Sequence, residues 1–130
     1  MKFIFYGDSE QGLLGVEDAG DGYKLAVVNV GGTHHCAYVQ FPGVENIGSY
    51  DDVRVDAHVH GGFTFLGSLS KYDLEGVWLG WDYAHFGDYL FTTYRPVRSG
   101  EKMWTTSEVV KEGLDILKAI KDGKWKEVRE

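Results

Sequence analysis

Over roughly the first hundred residues, apolar and polar positions alternate in short runs broken by glycine, a period-two pattern that predicts β-strands. The candidates are Lys2 to Tyr6, Leu13 to Glu17, Lys24 to Val30, His35 to Phe41, Val53 to His60, Phe63 to Leu66, Val77 to Trp81 and Leu90 to Thr93. In the run 53–60, alternation sets Arg54, Asp56, His58 and His60 on one face and Val53, Val55, Ala57 and Val59 on the other. Asp18-Ala-Gly-Asp-Gly22 predicts the turn of a hairpin joining the second and third strands. Beyond residue 104 the period changes. Thr105-Thr-Ser-Glu108 spells a capping box, with Val110, Leu114, Leu117 and Ile120 following at helical spacing. Lys111, Glu112, Asp115, Lys118 and Lys121 take the other face, and Asp122-Gly123 is the expected stop. The pattern predicts an α+β fold, mainly an antiparallel β-sheet of short strands packed by one C-terminal α-helix, as a single globular domain over 1–130.

Composition agrees with one self-sufficient domain. The 130 residues are 43% hydrophobic and 15% aromatic, enough to bury a core without disulfides or a structural metal. No apolar run approaches the ~20 residues of a membrane span. Met1-Lys-Phe-Ile-Phe-Tyr-Gly7 is interrupted by Asp8 and Glu10 too soon for a signal peptide, so the expected location is cytoplasmic. The single cysteine, Cys36, suits a reducing compartment and reads as a small buried hydrophobe rather than a nucleophile paired with His34 or His35. A net charge of −7 argues against direct nucleic-acid binding, which depends on cationic contacts to phosphate. An acidic surface that occupies a basic groove of another protein stays open.

Candidate chemistry concentrates in two segments, Arg54 to Gly62 and Gly80 to Asp88. His58 and His60 share a strand face if the alternation holds, and Asp82, His85 and Asp88 recur every three residues, as one turn of helix would align them. His58, His60, Asp82, His85 and Asp88 are therefore the candidate ligands of a divalent metal, with mixed nitrogen and oxygen donors that Zn²⁺, Mn²⁺ or Fe²⁺ accept. In an enzyme, His60, Asp82, His85 and Asp88 would be the catalytic set of a metal-dependent phosphoester hydrolase. A two-carboxylate scheme using Asp56 or Asp82 with Asp88 has weaker support. The alternative without catalysis is a pocket for a small nucleotide-like ligand, lined by His60, Gly61, Gly62, Thr64, Trp81, Asp82, His85 and Asp88 and served by Arg95 and Arg98 for any phosphate. Gly61-Gly62 reads as a bulge or a close approach to a ligand. No Walker lysine, dinucleotide fingerprint, Gly-x-Ser-x-Gly elbow or Cys-x-x-Cys occurs.

Across residues 33 to 120, the wording Val59-His-Gly-Gly-Phe-Thr64, then Trp81-Asp-Tyr-Ala-His-Phe-Gly-Asp88, then Trp104-Thr105 opening a helix resembles small uncharacterised phage and prophage proteins with VHGG(F/L)T and (W/F)DxAHxGD motifs. The matching positions are His60, Gly61, Gly62, Thr64, Asp82, Ala84, His85, Gly87 and Asp88; Asp56 and His58 lie outside the pattern. The resemblance implies an accessory protein acting in an infected or lysogenic bacterium. Such a protein would counter host defence, either by sequestering a nucleotide signal, as a monomer or a homo-oligomer, or by blocking a host defence protein.

Overall fold

The computed structural model describes residues 12–85, 87–90 and 100–128, with 3–5 as backbone alone. Six strands form one antiparallel sheet: β1 (Phe3–Phe5), β2 (Leu13–Asp18), β3 (Lys24–Val30), β4 (His34–Gln40), β6 (Phe65–Leu69) and β7 (Leu74–Asp82), in the order β1-β2-β3-β4-β7-β6. A two-stranded ribbon pairs β5 (Val53–Val55) with β8 (Trp125–Glu127). Among the described residues the one α-helix, α1, spans Thr106–Lys121. The expected α+β architecture is thus the observed one. The Asp18–Gly22 turn joins β2 to β3, closed by the Gly20 amide donating to Asp18 Oδ1 at 2.8 Å. Among the described residues no helix is long and apolar enough to cross a membrane.

Alternation explains how the sheet is buried on both faces. Leu25 and Val27 of β3, Ala37 and Val39 of β4, and Leu79 and Trp81 of β7 point toward α1, which meets them with Val109, Ile116, Leu117 and Ile120. Their neighbours Ala26, Val28, Cys36, Tyr38 and Trp78 build a second cluster on the opposite face, closed by Leu69 and Tyr72. The helix stripe is rotated from the one expected: Val110 and Leu114 are only half-buried, whereas Val109 and Gly113 are fully inside. Glycine at 113 permits this close approach, since a Cβ there would stand 2.6 Å from Leu25 Cδ1. Alanine is ordinarily the better helix former by up to ~1 kcal/mol. Here the clash is expected to dominate, so that Gly113→Ala lowers stability by about 1–3 kcal/mol. A fall in the urea midpoint checks this, and an unchanged midpoint would mean that Leu25 has room to move.

Three strand expectations are corrected. The strand in the run 53–60 ends at Val55; the Asp56 amide makes one more bond in register, to Lys124 O at 2.9 Å, and the chain then leaves the ribbon. Val55, Ala57 and Val59 still pack on the core while Arg54, Asp56 and His58 are exposed, so the alternation was a burial pattern without a ladder. It fails at His60, where a Val59–Gly62 turn with Gly61 at φ 70 and Gly62 at φ 80 carries the imidazole inward. The strand expected at Phe63 to Leu66 lies instead at Phe65–Leu69, and that expected at Val77 to Trp81 extends over nine residues. Of the expected strand Leu90 to Thr93, only Leu90 is described, and it is not in a strand.

Candidate functional site

Three parts of the chain converge beside the N-terminal half of α1: the 59–62 turn, the 82–88 segment that follows β7, and the stretch from Lys102 into the helix. The capping box fixes the last of these. Thr105 Oγ1 accepts from the Glu108 amide at 3.2 Å and Glu108 Oε1 accepts from the Thr105 amide at 3.1 Å, which sets Trp104 immediately before the first helical turn. Glu108 Oε2 also pairs with Lys102 Nζ at 2.6 Å, and that ammonium lies 4.6 Å from the Trp104 ring centroid.

Asp88 is the hub. Its side chain is 3% exposed. Its Oδ1 accepts from Trp104 Nε1 at 2.9 Å and its Oδ2 from the His85 amide at 2.9 Å. His60 Nε2 bridges both oxygens, at 2.9 and 2.7 Å. Burial by itself raises the Asp88 carboxyl, but the hydrogen bonds from His60, the His85 amide and Trp104 together bring it below its ordinary value. The carboxylate is therefore ionised at neutral pH, and the His60 nitrogen that donates to it is Nε2. No described residue hydrogen-bonds to Nδ1, on a side chain 19% exposed.

Aromatic packing holds the same imidazole. The Tyr83 ring stacks on His60 at 4.8 Å and 5°, and Trp104 meets His60 edge-on at 4.8 Å. Tyr83 is in turn fixed by its hydroxyl, which accepts from Trp81 Nε1 at 3.0 Å and donates to Glu112 Oε1 at 2.7 Å. Burial, more than its neighbours, pushes this phenol well above its ordinary pKa, so it stays a donor. Glu112 Oε1 also accepts from the His60 amide at 3.1 Å. A cleft of about 260 Å³ opens alongside, lined by His58, Trp104, Glu108, Lys111, Glu112 and Asp115. It shares Trp104 and Glu112 with the network around His60.

His85 approaches from the other side. Its Nδ1 is buried and makes no hydrogen bond, lying 3.5 Å from Asp82 Oδ1 and 3.6 Å from Asp88 Oδ2. The ring fits only because residue 61 is glycine: a Cβ there would stand 2.7 Å from Nδ1 and nearer still to Nε2 and Cε1. His60, His85 and Asp88 each present one donor atom within 4.8 Å of the others. Asp82 flanks them, its Oδ2 accepting from Thr64 Oγ1 at 2.9 Å and its Oδ1 from the Ala84 amide at 3.1 Å.

The sequence-predicted set is thus divided. His60, Gly61, His85 and Asp88 come together, with Thr64 and Asp82 at the margin. His58 does not join them as a ligand: it is exposed, its ring 6.5 Å from that of His60. Trp81 is a core residue, 1% exposed, reaching the site only through Tyr83. Gly62 turns the chain beside a different cleft, lined also by Tyr50, Arg54 and Phe63. Arg95 and Arg98 lie outside the described residues. Asp56 is exposed, with its amide tied to Lys124. Cys36 is buried, and burial foremost, with the Asp82 charge adding to it, pushes its thiol up to about 11; such a thiol is a poor nucleophile.

Sequence reasoning missed Glu112, assigned to the outer face of the helix, and Trp104, and took Tyr83 as aromatic surroundings without naming it among the ligand-binding residues. The available signals were local. Tyr83 continues the alternation of Leu79 and Trp81, and Trp104 immediately precedes a capping box. No protein-family model, no curated protein and no solved structure matches this chain.

Proposed function

We propose that this chain is a noncatalytic capture protein for a small nucleotide-like molecule, held in the cleft beside α1 that Trp104 and Glu112 line, where it meets the network around His60. The observation that carries this reading is the immobilised His60. Asp88 holds its Nε2, Tyr83 stacks on its face and Glu112 takes its backbone amide, while Nδ1 is left as an uncommitted acceptor. A fixed acceptor next to a tryptophan suits a flat heterocycle with an N–H edge, and stacking on such a ring contributes about 1–3 kcal/mol per base. The cleft carboxylates Glu108, Glu112 and Asp115 outnumber Lys111, so recognition falls on the ring and sugar hydroxyls more than on phosphate.

Support for capture over turnover comes from what surrounds the imidazole. Asp88 orients His60 as the acid of a hydrolytic triad orients its base, yet no described serine, threonine or cysteine hydrogen-bonds to the ring. In the phage setting that the sequence resemblance implies, capture would withdraw a nucleotide signal made by the host's defence.

Calorimetric titration with nucleosides, nucleoside monophosphates and cyclic dinucleotides tests the reading, followed by mass spectrometry of the recovered ligand. One of these classes is expected to bind and return intact. His60→Ala is expected to weaken binding at least about tenfold, the equivalent of one good hydrogen bond, with circular dichroism checking that it folds. Lys111→Ala, at an exposed rim position, is expected to weaken it less. No binding by any class, a folded His60→Ala protein that binds as well, or conversion of the ligand to product would each overturn the proposal.

A further inference from the structure

We infer that His60, His85 and Asp88 form a binding site for one divalent transition-metal ion of the zinc type. The inference concerns the same cluster as the proposed capture site but does not depend on ligand capture. Two imidazoles and a carboxylate favour Zn²⁺, Mn²⁺ or Fe²⁺ over Mg²⁺ or Ca²⁺, which prefer oxygen donors throughout. Their donor atoms already lie within 4.8 Å of one another.

The second observation is His85 Nδ1. It is sealed from solvent yet makes no hydrogen bond, its nearest charged neighbours being two carboxylate oxygens 3.5 and 3.6 Å away. Those distances are too long for a hydrogen bond. They lie close to the edge of a tetrahedron of donors around zinc, roughly 3.3 Å for bonds of about 2.0–2.1 Å. A buried imidazole nitrogen without a partner is costly, and an ion would supply the partner. The glycine at 61 belongs to the same arrangement, because any side chain there would overlap the His85 ring and displace it.

The ion takes the place of the proton that His60 Nε2 now shares with Asp88, and the short 2.7 Å contact opens to accommodate it. Asp82, 3.5 Å from His85 Nδ1, is the nearest further donor, and His85, 32% exposed, leaves a way in for water or ligand. One consequence concerns His60. With Nε2 on a metal, the neutral ring keeps its proton on Nδ1, so that nitrogen changes from acceptor to donor.

The test is Zn²⁺ and Co²⁺ titration of protein carrying no histidine tag, with elemental analysis and the visible spectrum of the Co²⁺ form. One ion per chain is expected. Affinity should fall at least about tenfold in His85→Ala and stay unchanged in His58→Ala, whose side chain lies outside the cluster. Failure to bind a stoichiometric ion, or equal binding by His85→Ala, overturns the inference. Repeating the nucleotide titrations with chelator present separates the two proposals: capture that persists there, in a protein that binds no ion, leaves the proposed function standing and removes the metal.

Discussion

Replacing Asp88 with asparagine is expected to cost about 2–4 kcal/mol of stability, read as a lower midpoint in chemical denaturation of the chelator-treated protein. The carboxylate receives Trp104 Nε1, the His85 amide and His60 Nε2, and all three are donors. Asparagine keeps one accepting oxygen. Its NH₂ must then face either the indole or the amide, donor against donor, at a site almost without water. An orphaned buried donor costs about 1–3 kcal/mol, and the loss of the charge weakens the remaining bonds.

The same substitution should alter the response to acid. The carboxyl of Asp88 is held below its ordinary value in the folded state, so its contribution is complete above the unfolded pKa, near 3.9, and disappears as pH falls through the folded value. Wild-type protein therefore loses stability on acidification below about pH 4–5, and Asp88→Asn should flatten that limb. A variant within about 0.5 kcal/mol of wild type, with an unchanged acid limb, would mean that the hub carries little of the load assigned to it.

Gly61→Ala is expected to act on the site more than on the fold. The position has φ 70, so alanine there pays about 1–2 kcal/mol for the left-handed backbone. The larger effect is steric: the new Cβ would overlap the His85 ring, at 2.7 Å from Nδ1 and less from Nε2 and Cε1. His85 is a third exposed and can swing outward, which relieves the overlap without unfolding the domain. The proposed ion then loses one of its three donors, and Zn²⁺ affinity should drop about a hundredfold or more. The measurement is a metal titration beside a thermal melt. A large fall in affinity with a small fall in melting temperature supports the assignment, whereas unchanged affinity would show that His85 is not a ligand.

How far the sequence could be read depended on whether a residue's role is set by its own segment. The helix was legible because Thr105 and Glu108 cap it within four residues, and β3 because Lys24–Val30 alternates cleanly between two buried faces. Trp125–Glu127 was not, since a three-residue strand has no period of its own and exists only through pairing with β5. The site divides in the same way. His60, His85 and Asp88 stood out by residue type and spacing, but strand alternation wrongly grouped His58 with His60, because a turn at Gly61-Gly62 rotates one imidazole inward. Glu112 escaped notice for a tertiary reason. It sits on the flank of the helix, polar by pattern, and only the docking of α1 on the sheet brings it to Tyr83 and His60.

Asp88 also ties together stretches of chain 28 and 16 residues away, through His60 and Trp104. During synthesis the full set of these contacts cannot close until Trp104, just before the helix, has emerged, so any ligand or ion should find an incomplete site on a nascent chain that stops short of it. In the finished protein the His85 amide, locked onto the buried carboxylate, should exchange its hydrogen only when the three stretches come apart together, making that one amide a reporter of whether the site opens locally or only with the whole domain.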